Sequence, residues 1–450
     1  MYAFPRPTAA RMIGGSLLAT CLALASCEPN ECERTWTQTM TVPVTLDRVL
    51  VHDSIAAEPP RQLCVGGGIY AYEQYVFVNS PGEGYHLLDN SDPANPANVA
   101  FLQVPGATQM AFVDGEMVSD SYADLVVLDF GGPQSLSLTS WTPNFLLDDG
   151  AFEVFDGLVV TGYEEQEVTF TEDCSGDLSA VYFPCGDRLS SSFINCAPMP
   201  MDNRVGSFAF SDASAESFAS VNVAGSLSRF AFAGPHLYVL GRDRLDSYRL
   251  ESDSLRPTDT DFIGWDLETV VAREGFLYVG AQSGMHILDL ADPEQPEYTG
   301  NYNHFTACDP VAVEGDVALV TLRSGRDCGN AAQNVLVALD ITDRTRPVRH
   351  AQIELTNPTG VALHDGIAYV CDGPAGLRVF DVAGGSLSAL DEREVEVVGG
   401  REMRDVAVLP YAQQISVLTT GPDHVTQLSP SEGGGLRETS SLGANNCARS

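Results

Sequence analysis

The chain has 450 residues, with 61 acidic and 24 basic side chains and a formal net charge of −37 at pH 7. Every basic residue is an arginine, since the sequence contains no lysine. An acidic surface of this strength repels nucleic-acid phosphates and anionic lipid headgroups, so the composition excludes a nucleic-acid-binding protein. It attracts basic ligands and divalent cations, and calcium therefore stays a candidate ligand.

Residues 1–26 have the form of a lipoprotein signal peptide. Arg6 and Arg11 precede an apolar run that is too short to cross a bilayer as a stable helix. Small residues then lead into Cys27, as in a bacterial lipobox, and this predicts a diacylglycerol on the Cys27 thiol. Several acyl chains on one cysteine hold a protein durably on a membrane. An ordinary secretory signal is the alternative.

This start predicts a protein of the bacterial cell envelope, anchored by lipid to the outer membrane and facing either the periplasm or the cell surface. Residues 27–35 would form a short tether between the anchor and the fold.

A short repeat begins near Val65 and recurs along the chain. In each copy a short apolar strand ends in an aspartate, and a turn follows that in several copies contains proline. Four short strands in a repeat of about 40 residues are typical of a β-propeller blade. The strand-ending aspartates are Asp89, Asp129, Asp289, Asp340 and Asp381.

The repeat predicts an all-β fold, a closed β-propeller of four-stranded antiparallel blades over residues 36–443, with a C-terminal tail at 444–450. The spacing of the aspartates predicts eight blades, with seven as the first alternative and nine also open. The third repeat is assigned to residues 152–170. Residues 172–219, approximately, show neither strand nor helix periodicity and are interpreted as a loop insertion.

The repeated aspartates predict a structural role. A carboxylate at the end of a strand can accept N–H bonds from the turn that follows. Because one residue type recurs at one position, we expect it to tie turns rather than to form a ring of metal ligands. Arg249 and Ser429 replace the aspartate in two repeats. His86 and His286 also share a repeat position, which predicts packing rather than metal binding.

The cysteines predict disulfides, because exported proteins usually oxidise them. Beyond Cys21 and Cys27, nine of the 11 cysteines remain, so at least one is free or pairs outside the chain. Cys308 and Cys328 flank the first two strands of one repeat and are predicted to pair. The other cysteines, Cys32, Cys64, Cys174, Cys185, Cys196, Cys371 and Cys447, are left without an assigned pairing, although a propeller could bring Cys32 and Cys447 together.

The repeats resemble the LVIVD-repeat family of bacterial β-propeller proteins. Residues 308–315 and 371–377 are similar to a subgroup of surface lipoproteins within it. The resemblance extends over about residues 65–430 and is weakest across the insertion. It implies an exported propeller and carries no reaction, ligand or catalytic residue.

The sequence contains no zinc-protease, nucleophile-elbow, Walker or EF-hand motif, so no catalytic, cofactor or metal residue is assigned. We therefore expect a monomeric binding or scaffolding module for a protein or glycan partner, using a disc face or the insertion. The alternatives are a hydrolase or lyase with its site in the central channel, and a calcium-dependent adhesin. Three or more titratable side chains at the channel mouth would favour the enzyme.

Overall fold

The protein is described from a computed structural model. The structure describes residues 33–113, 115–145, 154–155, 157–173, 209–210, 222–224, 229–241, 243–251, 254–303, 310–324, 333–382, 394–411, 414–431 and 435–446. The predicted signal peptide therefore lies outside the described residues. No helix in the described ranges combines the length and the apolar character that crossing a membrane requires.

The described residues form one short helix and 36 strands. The first part of the chain contains β1 (Glu33–Asp47), α1 (Arg48–Asp53), β2 (Ala56–Glu58), β3 (Cys64–Val65), β4 (Ile69–Tyr72), β5 (Tyr75–Ser80), β6 (Gly84–Asp89), β7 (Ala97–Gln103), β8 (Met110–Val113), β9 (Glu116–Ser121), β10 (Asp124–Gly132), β11 (Ser135–Thr142), β12 (Val154–Phe155), β13 (Leu158–Asp173), β14 (Ala209–Phe210) and β15 (Asn222–Ala224).

In the second part, every helix or strand element among the described residues is a strand. It contains β16 (Phe230–Ala233), β17 (His236–Leu240), β18 (Arg244–Glu251), β19 (Ser254–Phe262), β20 (Leu267–Arg273), β21 (Phe276–Ala281), β22 (Gly284–Asp289), β23 (Glu297–Asn303), β24 (Val311–Glu314), β25 (Val317–Leu322), β26 (Val335–Asp340), β27 (Val348–Glu354), β28 (Gly360–His364), β29 (Ile367–Cys371), β30 (Leu377–Asp381), β31 (Glu394–Val398), β32 (Asp405–Tyr411), β33 (Gln414–Thr420), β34 (His424–Pro430), β35 (Leu436–Gly443) and β36 (Asn445–Asn446).

The chain divides into a small and a large module. The small module comprises residues 1–40 and 165–195, and its described part is the start of β1 beside the end of β13. The hydroxyls of Thr37 and Thr169 lie 3.1 Å apart in this ribbon. The large module comprises residues 41–164 and 196–450.

Within the described part of the large module, seven units each consist of four antiparallel strands paired in chain order. Units one and two are β4–β7 and β8–β11. Units three to seven are β16–β19, β20–β23, β24–β27, β28–β31 and β32–β35. In every unit a register shift interrupts the pairing of the third and fourth strands. Such a bulge increases the local twist of the outer strand.

The core lies between consecutive units. A four-stranded sheet has two faces to bury, and runs such as Leu125–Leu128 are buried on both. Six clusters of buried side chains join neighbouring units. The first joins units one to three and contains Phe77, Phe112 and Phe230. The next four each join two consecutive units: Leu245 and Leu277 for three and four, Tyr278 and Val320 for four and five, Leu336 and Val370 for five and six, and Val379 and Val406 for six and seven. The remaining cluster joins Val76 of unit one to Leu418 of unit seven.

Short additional strands pair with the edges of these units. β14 lies parallel between β16 and β20, which are the first strands of units three and four. β15 lies antiparallel to β4, the first strand of unit one. β2 pairs with β7, and β3 pairs in parallel with β36 near the end of the chain. β14, which lies in the insertion, and β15, which follows it, therefore pair with the edges of the first strands of three units.

The predicted third repeat differs from the structure. Of residues 152–170, the described ones lie in β12 and β13, which form a three-stranded sheet with β1 instead of a four-stranded unit. The physical reason is the composition of β13, because residues 164–167 are polar and exposed and offer no apolar face to bury. The described residues thus contain seven four-stranded units where eight were predicted.

Candidate functional site

Three of the predicted strand-end aspartates accept hydrogen bonds from the turns that follow them. A carboxylate oxygen of Asp89 accepts from the Ser91 N–H at 3.0 Å, and Asp289 and Asp340 accept from the second residue after them at 2.7 and 2.8 Å. Hydrogen bonding to Thr342 lowers the pKa of Asp340. Asp381 ends β30, whereas Asp129 lies inside β10, which continues to Gly132.

A second aspartate in the same turn has the same role, and the sequence analysis missed it. Asp92, Asp292 and Asp343 each accept an N–H from the second residue after them at 3.0 Å. Each stands three residues after a strand-end aspartate, so the signal was present in the spacing. The two carboxylates together satisfy the N–H groups of one turn.

Two buried carboxylates lie at the opposite end of the units, where the second strand ends. Asp120 accepts from the N–H groups of Thr108 and Gln109 at 2.7 and 2.8 Å. Asp372 accepts from Thr356 and Asn357, both at 2.7 Å. In both units the carboxylate binds the connection that enters the first strand, so the repeated geometry indicates a structural tie.

Burial raises the pKa values of several side chains around Asp120. The pKa of Asp120 is raised to about 6, chiefly because the carboxylate is desolvated. Burial and the Asp120 charge also raise the pKa values of Tyr70 and Tyr85. The Tyr85 hydroxyl donates to the Gln109 carbonyl at 2.7 Å, which places it among the same contacts. Asp120 and Tyr85 can titrate, but both already make hydrogen bonds to the Thr108–Gln109 segment.

A buried ion-pair cluster docks α1 on unit two. Asp124 lies 3.0 Å from the Arg48 Nε and 3.2 Å from the His52 Nε2, and its other oxygen accepts from the Asn144 N–H at 2.9 Å. Trp141 packs edge-on against His52 with 4.6 Å between ring centroids. Since both carboxylate oxygens of Asp124 already bind groups of this chain, we interpret the cluster as the contact that holds α1 against unit two.

The two histidines that share a repeat position are both packed. His86 is buried, its Nε2 lies 3.3 Å from the Cys64 N, and burial lowers its pKa to about 4. His286 is half-buried beside Tyr298, with 3.4 Å between its Nδ1 and the phenol oxygen. Burial also lowers the pKa of His286, so both rings are neutral at pH 7.

One group of described residues has the donors for a metal ion. Ligand atoms of Glu314, His364 and Asp365 lie within 4.8 Å of one another. The Glu314 oxygens, however, already accept from the N–H groups of Asp365 and Gly366 at 2.9 and 2.7 Å. Glu274 makes the same kind of contact with the Gly315 N–H at 3.0 Å, one unit earlier. The recurrence indicates a tie between consecutive units.

Two cysteines, Cys64 and Cys371, lie among the described residues. Cys64 is disulfide-bonded, and its partner lies outside the described residues. Cys371 is buried with a free thiol, whose pKa is raised by burial and by the Asp405 and Asp372 charges. Cys308, Cys328 and the predicted lipidation site Cys27 lie outside the described residues.

Among the side chains that the structure describes, the most exposed aromatic ones lie on units three and four. Phe262 and Trp265 are 64% and 65% exposed, and Tyr298 is 50% exposed. We call Phe262, Trp265, His286 and Tyr298 the aromatic surface. Of these residues, the sequence pointed only to His286, as a packed side chain, because Phe262 and Tyr298 look like ordinary strand residues. Contiguous exposed apolar side chains mark interaction sites, and this surface is therefore the candidate binding site.

Comparisons with known proteins agree with this architecture. Residues 266–304, which contain unit four, match the model of the LVIVD repeat. A Lactobacillus plantarum protein of known structure is 9% identical, with a TM-score of 0.50, over 84% of this chain and 97% of its own. A periplasmic gluconolactonase from Pseudomonas aeruginosa is 10% identical, with a TM-score of 0.51, over 84% and 97%.

At these identities the likeness concerns the fold alone. No curated protein matches the chain significantly. The repeat match and the structural neighbours together give the chain a β-propeller fold that contains an LVIVD repeat.

Proposed function

We propose that the protein is a lipid-anchored binding or scaffolding module of the bacterial cell envelope, built as a closed propeller of seven blades. Closure is supported by the cluster that joins unit one to unit seven, and by the Asn90 amide, which donates to the buried Gln427 side chain at 3.1 Å. Anchoring through Cys27 follows from the lipobox pattern. The protein would be monomeric and would bind a protein or glycan partner.

The observation that carries the proposal is the position of β14, which lies in the insertion, and of β15, which follows it. β14 and β15 occupy hydrogen-bonding edges of β16, β20 and β4, the first strands of three units. In a propeller, first strands line the central channel, where an enzyme of this fold would place its site. Because the chain itself covers those edges, the outer surfaces are better suited to partners.

The anchor is tested by labelling cells with radioactive palmitate. We expect label on the wild-type protein and none on Cys27→Ala. A labelled Cys27→Ala protein, or an unlabelled wild type, would remove the lipid anchor from the proposal.

The binding role is tested by cross-linking the full mature chain in cells and identifying the products by mass spectrometry. We expect one reproducible envelope partner at defined cross-linked residues of the propeller. A purified protein that hydrolyses gluconolactone, or another lactone, with turnover above the uncatalysed rate would instead favour the enzyme alternative.

The calcium-dependent adhesin is the second alternative, which the Glu314, His364 and Asp365 donors would support. We expect the melting temperature to be the same in millimolar calcium and in chelator, because the Glu314 carboxylate already binds backbone N–H groups. A rise in melting temperature with calcium would favour the adhesin.

A further inference from the structure

The aromatic surface is held in place by its own loop. The Phe262 and Trp265 rings contact each other edge-on, with centroids 5.6 Å apart. Between them, Ile263 packs on the core, and the N–H groups of Ile263 and Gly264 donate to the Asp243 carbonyl at 3.2 and 3.4 Å. The loop is therefore anchored while both large rings remain in solvent, and binding would require little ordering of the loop.

The surface continues from this loop onto unit four. A Cβ placed on Gly264 would lie 3.4 Å from the His286 Nε2, so the loop backbone lies against that ring. His286 in turn contacts Tyr298, with ring centroids 5.9 Å apart. Because burial lowers the pKa of His286, the imidazole adds no positive charge at pH 7.

The chain around the surface is acidic. Asp261 and Asp266 flank the two rings in sequence, and Asp243 contacts the loop between them through its backbone carbonyl. The nearby Arg244 lies 2.9 Å from Asp246, so its charge is matched within the chain. Burial, and after it the charge of neighbouring Asp259, raises the pKa of Asp261, so Asp259 and Asp261 repel each other. A cation bound here would relieve that repulsion.

Elsewhere the chain places its own arginines over aromatic rings. The guanidinium carbon lies 3.9 Å from the ring centroid for Arg61 over Phe101, and 4.8 Å for Arg344 over Phe276. A guanidinium or ammonium is attracted by the ring face, and most strongly by tryptophan. Trp265 and Phe262 offer rings of the same kind to solvent.

We propose that the aromatic surface docks an arginine- or lysine-bearing segment of a partner protein. A cationic side chain lies over Trp265 or Phe262, and the surrounding aspartates match its charge. The net charge of −37 favours such a partner and disfavours a second copy of this chain. The inference rests on the proposed function, because it names the chemistry of the partner of that binding module.

The test uses the full mature chain and a labelled eight-arginine peptide, with an eight-citrulline peptide as the uncharged probe. Fluorescence anisotropy is measured at two salt concentrations for the wild type, the double variant Phe262→Ala/Trp265→Ala, and Val397→Ala. Val397 is a matched control, since it is 54% exposed on an outer strand of unit six. Circular dichroism establishes that each variant folds.

We expect the double variant to bind the arginine peptide about tenfold more weakly than the wild type, because it loses cation–π contacts. Val397→Ala should bind like the wild type, and the citrulline peptide should bind neither protein. Equal binding by the double variant and Val397→Ala would overturn the inference. The inference would also be overturned if the wild type bound maltohexaose, or dimerised in ultracentrifugation, and the double variant did not.

The two proposals fail separately. An envelope partner whose cross-linking survives Phe262→Ala/Trp265→Ala would overturn the docking surface and leave the binding role intact. Peptide binding that requires both rings, without any cross-linked partner in cells, would support the surface and count against the binding role.

Discussion

Two aspartates share each of the turns after Asp89, Asp289 and Asp340, and each accepts an N–H two residues further along the chain. A turn that lacks such an acceptor must leave its N–H groups to water and loses a local conformational constraint. At the residue scale, the backbone of each of these turns is therefore fixed by the carboxylates of its own two aspartates.

Replacing one of these aspartates should cost stability. We expect Asp289→Ala to lower the free energy of unfolding by about 1 kcal/mol, as for other side chains that cap N–H groups. Chemical denaturation measures it. Asp129→Ala is the matched control, because Asp129 is exposed within β10, and we expect a smaller effect. Equal losses in the two variants would contradict the assigned role.

Asp120 predicts a specific pH dependence. Its pKa is raised from 3.8 to about 6 in the folded chain, so its contribution to stability is full below pH 3.8 and is lost as the pH rises through 6. Asp120→Asn keeps an oxygen for the N–H groups of Thr108 and Gln109. We expect the unfolding free energy of the wild type to fall relative to Asp120→Asn between pH 4 and pH 7.

That difference is measured by urea denaturation of both proteins at each pH. Parallel stability curves for the two proteins would contradict the raised pKa. The pairwise comparison is needed because many other carboxylates titrate in the same range.

The residue-scale roles were predictable only where they are local. Asp289 and Asp340 could be assigned from the sequence, because their N–H partners lie two residues away. Asp120 could not, since its partners Thr108 and Gln109 become neighbours only through strand pairing. The exposure of Trp265 depends on which faces the neighbouring units cover, and the sequence does not state it.

Consecutive units are joined by carboxylates at the turn between their first two strands. Glu314 of unit five binds the N–H groups of Asp365 and Gly366 in unit six, and Glu274 of unit four binds the Gly315 N–H in unit five. At the element scale, apolar packing between sheets is thus supplemented by charged hydrogen bonds at their ends, which fix the position of one unit on the next.

Removing such a tie should weaken one interface. We expect Glu314→Ala to lower the free energy of unfolding by about 1–2 kcal/mol, because two charge-assisted hydrogen bonds are lost. Thermal and chemical denaturation measure it. Glu297→Ala is the control, since Glu297 is exposed on the outer strand β23. An unchanged stability for Glu314→Ala would show that the tie is not needed.

Strand positions and the antiparallel pairing within four-stranded units were largely predictable, whereas the pairing of distant segments was not. The apolar runs and turn residues indicated strands such as β5, β6, β21 and β22. Residues 158–161 look like another strand of this kind, but β13 extends to Asp173 and pairs with β1, more than a hundred residues earlier. Periodicity carries no information on such distant partners, so the predicted third repeat could not be distinguished from a ribbon.

At the scale of the whole molecule, the first and last parts of the large module meet. Besides the pairing of β3 with β36, Leu63 and Val65 share a buried cluster with Leu418 and Val425. Cys64 lies within this junction and is disulfide-bonded. A covalent link there restricts the unfolded chain and should stabilise the fold.

Breaking that link should lower stability. We expect Cys64→Ser, or reduction of the wild type, to lower the free energy of unfolding by about 2–4 kcal/mol. The melting temperature, followed by calorimetry, measures it. Cys371→Ser is the matched control, because Cys371 is a buried free thiol, and it should respond to reductant as the wild type does. A Cys64→Ser protein as stable as the oxidised wild type would contradict the prediction.

The meeting of the two ends has a consequence for biosynthesis. Val76 is covered by Leu418 and Val425, which leave the ribosome about 340 residues later. At typical elongation rates that interval is on the order of 20–70 s. Until it ends, the first sheet presents bare apolar side chains to whatever surrounds the nascent polypeptide. A chaperone that holds unfolded chains should therefore bind unit one. Truncation anywhere before Leu418 should yield a fragment that aggregates rather than a smaller stable propeller.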